Sequence, residues 1–285
     1  MRLSIIILSF NTAKLTINCV KSVLTYYKDY LGKEVEVVVV DNASLDNTLD
    51  LLRKIKGIKI IKNNENFGFS KGNNIGAKNS TGKYILFLNS DAQVLDDSFI
   101  KMSNFLDENP KIGILGGKLV NSNNKVQKSG GNFYNLFNLF ASLFGGERMG
   151  FVRKFPKKVE PVDWVSGACL LIRKDLFNKL KGFDEKFFMY VEDMDLCFRA
   201  KKAGFLTYFY PEAKILHEEH GSSNREFAVT NIYKGIIYFS KKHKISYPLV
   251  KSMLFIKAFF SLLIGIAINN SYLRKTYFGA LKIAA

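Results

Sequence analysis

Four short apolar runs, Ser4–Phe10, Val35–Val40, Ile58–Lys62 and Tyr84–Leu88, divide the first third of this 285-residue chain. They are dense in Ile and Val, and the stretches between them (Thr12–Tyr30, Asn47–Ile55 and Lys71–Asn79) carry helical patterns. Strands without polar alternation are buried on both faces, and helical crossovers between them build a mostly parallel sheet. An α/β architecture follows. Such sheets bind ligands beyond the carboxyl ends of their strands. Three of the four runs lead into polar residues there: Asn11, Asp41 and Asn89-Ser90-Asp91.

Further along, Phe99–Leu106 reads as a helix, Ile112–Leu119 as a strand and Asn121–Lys128 as a polar turn. The aromatic segment from Phe133 to Met149 lacks a clean period; it fits a mobile loop or a short amphipathic helix. A subdomain core and a lipid-facing or acceptor-gating loop are equal readings of it. Val162–Ile172 reads as one strand and Lys174–Leu180 as a helix ending at Gly182.

The 42 Lys+Arg against 25 Asp+Glu leave a formal charge of +17. Nucleic acid, a membrane surface or an anionic substrate could each answer it. Its placement decides among them. From Asn231 to Ala285 there are nine Lys/Arg and no Asp or Glu, so about half of the excess lies in the last fifth. The same stretch holds the most apolar segment, Leu249–Ile268. Lys257 sits near its middle, where a Lys in a bilayer costs about 2.5–3.5 kcal/mol. Helices lying on an anionic membrane surface are therefore expected, ahead of a helix packed on the protein's own core and of a true span. No nucleic-acid partner is expected, since no binding motif accompanies the charge. The opening residues look like a strand rather than a secretory signal, and three scattered cysteines fit a reducing compartment.

Several clusters can carry chemistry. Asp41 directly ends an apolar run and suits a base imide or ribose hydroxyl, whereas Asp46 reads better as a helix cap. In Asn64-Glu-Asn-Phe-Gly-Phe-Ser-Lys-Gly-Asn-Asn-Ile-Gly76 the glycines open a helix whose free N–H groups favour a diphosphate. Neither a Walker A loop nor a G-x-G-x-x-G spacing is present. Asp91 suits a hard divalent cation bridging phosphates. In Glu192-Asp-Met-Asp-Leu-Cys-Phe-Arg199, spacing pairs Glu192, Asp195 and Arg199 along a helix. Asp193 points to another face and is a candidate general base. His217 and His220 follow, either one a ligand to a metal or phosphate.

The ordered set of Ser-Phe-Asn11, VVVVDNAS, NENFGFSKGNNIG, LNSDA, WVSGACLLIR and GFDEKFFMYVEDMDLCFR with a later His resembles family 2 inverting glycosyltransferases of GT-A fold. The similarity points to their rhamnosyltransferase-like branch and runs from Ser4 to about Ser223. It implies a GT-A catalytic domain over residues 1–225, with a mostly parallel central sheet. Residues 226–285 then form amphipathic, membrane-associating helices at the cytoplasmic face of the cell membrane. It implies transfer of a sugar, rhamnose being a candidate, from a nucleotide-diphosphate sugar to a lipid-linked or glycan acceptor in bacterial surface polysaccharide synthesis. By the same resemblance Asp41, with Asn11 nearby, binds base and ribose, while Asn66, Gly68, Asn73 and Asn89 line the nucleotide-sugar pocket. Gly167 and Ala168 border the donor sugar. Asp91 and His217 hold Mn²⁺ or Mg²⁺, and Asp193 deprotonates the acceptor. His217 suits the spacing better than His220. Asn89 departs from the family's Asp-x-Asp.

A sugar nucleotidyltransferase on a similar sheet is the alternative, but Asn11-Thr-Ala-Lys14 stands where its basic Gly-rich signature belongs. Intact Asp41, Asp91 and Asp193 argue against an inactive scaffold. Association into a homo-oligomer is left open.

Overall fold

A computed structural model describes residues 1–145, 152–218 and 225–285. Its main sheet contains β1 (Leu3–Ser9), β2 (Val35–Asp41), β3 (Lys59–Lys62), β4 (Tyr84–Asn89), β5 (Ala92–Val94), β6 (Ile112–Val120), β9 (Glu160–Val162), β11 (Cys169–Arg173) and β12 (Leu206–His217). The order is β3-β2-β1-β4-β11-β6-β12-β5, with β9 paired to β12. Neighbours among β1 to β4 run parallel, as do β6 and β12, while β11 lies antiparallel between β4 and β6. The sheet is thus mostly parallel through its centre, as expected of a GT-A fold. A smaller sheet joins β10 (Trp164–Val165), β7 (Gly130–Gly131) and β8 (Arg153–Lys154).

The two-residue period of a strand divides the apolar runs between two cores. Ile6, Val38, Val40, Ile85 and Phe87 face one side, and Ile5, Ile7, Val37, Val39 and Leu86 the other. The second side is covered by α1 (Ala13–Tyr26), α2 (Thr48–Leu52) and α4 (Ser98–Glu108) through residues such as Val20, Leu52 and Phe99. On the first lie α3 (Gly68–Lys78), α6 (Lys174–Lys179), α7 (Glu192–Lys202) and α8 (Arg225–His243). Helix α3 lies low on the strands. A Cβ at Gly72 would stand 2.5 Å from Leu8, and one at Gly76 would stand 2.5 Å from Ile6.

Two expectations change. Val162–Ile172 is three short strands rather than one, because the chain leaves the main sheet after β9, adds β10 to the small sheet and returns as β11. The turn at Ser166–Ala168 makes that return possible, and the functional site depends on it. In the aromatic segment, α5 (Leu136–Leu143) is a helix capped by the Asn135 side chain on Asn138 N–H, at 2.7 Å. The rest of that segment, from 146 to 149 and including Arg148, lies outside the described residues, as does His220.

The last 61 residues are helical: α8, α9 (Tyr247–Ala267) and α10 (Ser271–Ala284). Tyr233, Ile236 and Phe239 of α8 are buried in the same core as Ile6 and Phe87, and Val250, Leu254 and Ala258 of α9 join them. Large apolar residues on the other side of α9 are exposed. The helices therefore pack on the body and still leave an apolar face uncovered.

Candidate active site

The sheet changes direction of build between β1 and β4, since β2 and β3 extend one way and β4 the other. A crevice opens at such a point beyond the carboxyl ends. Here it is a cleft of about 300 Å³ lined by residues including Leu8, Asn42, Asn66, Gly68, Asn89 and Phe188. Phe227, at the start of α8, supplies part of the far wall.

Of the residues expected around the donor, Asn66, Gly68 and Asn89 line this cleft. Asn42 joins them, donating to Gly68 O at 3.0 Å and accepting from Asn63 Nδ2 at 2.7 Å. It was legible in the Asp41-Asn42 pair but overshadowed by the carboxylate. Gly68 has φ +74°, and a Cβ there would meet the Phe188 carbonyl at 2.4 Å, so only glycine fits. The expected anion cradle at the start of α3 is not free. Gly68 N–H donates to Asn66 Oδ1 at 3.0 Å and Phe69 N–H to Phe188 O at 2.6 Å. The second bond fastens the 183–191 segment to the cleft, and together the two occupy half of the four N–H donors at the helix start. Asn73 is likewise turned inward: it is buried and donates to Phe69 O at 3.0 Å within its own helix.

Asp41 is fully buried at the end of β2, with Oδ2 accepting Ser44 N–H at 3.0 Å and Oδ1 lacking a hydrogen-bond partner. Asn11 takes a left-handed conformation, φ 53°, and its Oδ1 accepts Leu45 N–H at 2.7 Å. It braces the turn that follows Asp41 and faces a separate cavity of about 510 Å³ beside Lys14 and Asp46. Asp46 accepts from Thr48 N–H at 3.1 Å at the start of α2 and from Ala13 N–H at 3.0 Å. Burial would raise its pKa, and these bonds with the Thr48 hydroxyl lower it.

At the β4 exit, pairing of β5 with β12 sets His217 opposite Ala92, one residue from Asp91. His217 Nε2 lies 3.3 Å from Asp91 Oδ1 and 3.5 Å from Asn89 Nδ2. Sequence reasoning missed Gln127. Its Nε2 donates to His217 O at 2.8 Å, which turns its Oε1 toward His217 Nδ1, also at 2.8 Å. Nδ1 is then the protonated nitrogen, and the Nε2 lone pair faces a carboxylate oxygen that lacks a hydrogen-bond partner. Two acceptors so close require a proton or a cation between them. Hard oxygen and imidazole donors suit a divalent ion. Among the described residues no group of three or more His, Cys, Asp or Glu is placed to hold a metal ion, so a cation here would need further ligands from outside the protein.

Across the cleft, α7 starts from Val191 in a left-handed conformation, φ 74°, and carries Asp193 in its first turn. Asp193 Oδ2 accepts Gly167 N–H at 3.0 Å and Oδ1 accepts Met194 N–H at 2.7 Å. Gly167 passes close to Phe69 on the cleft wall, where a Cβ would be 2.9 Å from the ring. The next residue, Ala168, accepts Asn89 N–H through its carbonyl at 3.1 Å. Gly167 and Ala168 thus act through their backbones, one holding Asp193 and the other Asn89. Burial raises the Asp193 pKa, opposed by the two N–H bonds; burial and the Asp193 charge raise that of neighbouring Glu192 much further. The expected helix pairing forms only in part. Asp195 pairs with Arg199 at 2.7 Å, while Glu192 Oε2 is buried without a hydrogen-bond partner.

Comparison with known proteins gives the family and the fold. The model for "Glycosyl transferase family 2" matches residues 4–181. An N-acetylglucosaminyl-diphospho-decaprenol L-rhamnosyltransferase of Mycobacterium tuberculosis is 48% identical over 66 residues, 23% of this chain and 22% of that protein. The dTDP-rhamnosyl transferase RfbF of Shigella flexneri is 25% identical over 189 residues, 64% of this chain and 59% of its own length. The chain thus spans less than two thirds of either relative. A mannosyltransferase from Pyrobaculum calidifontis, solved with GDP-Man and Mn²⁺, is similar in fold, with a TM-score of 0.59 at 16% identity, covering 99% of this chain and 85% of that one. The matched region takes in the strands from β1 to β11 and the cleft residues from Leu8 to Ser90, which sets aside the nucleotidyltransferase alternative: the chain belongs to glycosyl transferase family 2.

Proposed function

We propose that the cleft transfers a sugar from a nucleotide-diphosphate donor to a hydroxyl of a lipid-linked or glycan acceptor, with inversion at the anomeric carbon. Rhamnose is the first sugar to test, because two relatives are named for it. Bacterial surface polysaccharide synthesis is the setting those names suggest. One observation carries the reading: two backbone bonds, Gly167 N–H to Asp193 and Asn89 N–H to Ala168 O, tie a raised-pKa carboxylate to the Asp91–His217 pair across one short turn.

In this mechanism Asp193 accepts the acceptor's hydroxyl proton as the oxygen forms its bond to the anomeric carbon. The bond to the diphosphate oxygen breaks on the opposite side. A single displacement needs no second carboxylate, unlike retaining glycoside hydrolysis. Asp91 and His217 would hold Mn²⁺ or Mg²⁺, with the donor's phosphate oxygens completing the shell. Such an ion, when bound, neutralises charge developing on the leaving diphosphate. Asn66 provides an amide group to the donor, Asn42 braces Asn66 from beneath, and Phe188 and Phe227 close the apolar side. Asp41, beneath the β2 end, stays assigned to the nucleoside through its unpartnered Oδ1.

The test is a panel of nucleotide-diphosphate sugars read first by thermal shift with Mn²⁺ and then by transfer. One donor should raise Tm and be consumed. Failure of every donor to bind would reject the reading. A second measurement isolates the metal site. Gln127→Ala is expected to weaken Mn²⁺ binding about 10–100-fold, the usual cost of losing a ligand's outer partner. Electron paramagnetic resonance of free Mn²⁺ reads this without any turnover. Unchanged affinity would remove Gln127 from the site.

A further inference from the structure

We propose that the outer face of α9, widened by α5, docks on an anionic lipid bilayer with the helix lying in the plane of the surface. The cytoplasmic leaflet is the bilayer meant.

The argument begins with which residues α9 turns inward. Val250, Leu254, Ala258, Ser261 and Gly265 are its buried row, and after Leu254 only small residues follow. At Gly265 a Cβ would stand 2.7 Å from Leu273 Cβ, so α10 closes directly over the backbone. The outward row holds Phe255, Phe259, Phe260 and Ile264, which are 38%, 42%, 56% and 54% exposed. A water-facing helix places large apolar residues inside and polar ones outside. Small residues at the packing seam and large apolar ones outside belong to helices whose outer solvent is lipid. Helix α5 packs on α9 and adds Phe137 and Phe140, 66% and 52% exposed. The face is broad and has a single chemistry.

Charge selects the occupant. Helices α9 and α10 carry five Lys/Arg (Lys251, Lys257, Arg274, Lys275 and Lys282) and no Asp or Glu. A second copy of the chain would bring those cations against their own kind. An anionic headgroup layer complements them, each basic residue near such a surface contributing about 1 kcal/mol. Geometry selects the depth. Helix α9 is long and apolar enough to cross a membrane, by length and composition alone. Crossing would strip Val250, Leu254 and Ala258 from the core they share with Phe239. Helix α10, packed along α9, has 14 residues and is too short to follow it through. An in-plane helix keeps both contacts and immerses only the outer row.

Full-length protein is to be sedimented with phosphatidylglycerol vesicles and, separately, with phosphatidylcholine vesicles. Strong binding to the first, weakened by salt, and weak binding to the second are expected. The double substitution Phe259→Glu, Phe260→Glu should lower partitioning by more than ~10-fold. Tm should stay unchanged, since both rings are outside the core. Arg274→Glu should weaken phosphatidylglycerol binding alone. Four results would each overturn the proposal: no binding, equal binding to both lipids, full binding by the double variant, or resistance to alkaline carbonate extraction. A lipid-free dimer abolished by the double variant would also overturn it, by naming a second copy as the occupant. Vesicle binding is measured without donor or metal, so its failure leaves the transfer reading untouched.

Discussion

Asp193→Asn is expected to reduce kcat by about 10²–10⁴-fold, the usual contribution of a positioned general base. The amide keeps the shape of the side chain, and its oxygen can still accept the Gly167 or Met194 N–H. What it loses is the ability to take a proton. Donor binding should therefore survive, with KM for the donor and its thermal shift close to wild type. The pH profile gives an independent readout. Burial holds the Asp193 pKa above the ordinary 3.8, and Glu192 beside it is raised further. Transfer should rise with pH along an acid limb above 3.8 that belongs to the Glu192–Asp193 pair. That limb should vanish in the residual activity of the variant. Full activity in Asp193→Asn would end the assignment.

The second large effect is on folding. Asp195 is fully buried, and two cations and an imidazole converge on it: Arg199 Nε at 2.7 Å, Lys242 Nζ at 2.7 Å and His243 Nε2 at 2.8 Å. Lys242 also reaches Asp184 at 2.7 Å, which accepts from Tyr238 at 2.8 Å. Asp195→Ala leaves Arg199 and Lys242 without their shared anion and His243 without its acceptor. Removing one partner of a buried ionic group costs about 3–5 kcal/mol. Denaturant unfolding should show a loss of that size, and a loss near zero would mean that water replaces the carboxylate. Burial alone would raise the Asp195 pKa, but His243, Arg199 and Lys242 outweigh it and hold it below 3.8. The stabilisation is then present above pH 3.8 and lost as pH falls through the lower folded value. In acid, the wild-type advantage over Asp195→Ala should shrink.

These two neighbours on one helix also show what a sequence can disclose. Asp195 and Arg199 stand four apart, and their pairing could be read from helical spacing. His243 meets the same carboxylate from 48 residues away, and no local period announces that. The strands were legible because runs such as Ile5–Leu8 and Val37–Val40 have no other way to bury both faces. The ends of those strands were legible with them, which brought out Asp41, Asp91 and the cleft. Gln127 was not, since it sits in a polar turn 90 residues before the histidine it orients. The start of α3 misled for a related reason. Its glycines were visible, but the Phe188 carbonyl that takes the Phe69 N–H arrives from a distant loop.

Helix α8 opens at the cleft wall with Phe227 and closes at His243 on Asp195. It is at once part of the core that backs the main sheet and the bed on which α9 and α10 rest. A shortened gene product cut before His243 would forfeit its fold along with its tail. The first joint at which the two parts can be exchanged is the left-handed turn at Lys244 and Ser246. If tails of this kind are traded among proteins, the splice belongs there, and a graft made upstream would carry off Phe227 from the cleft wall and His243 from Asp195.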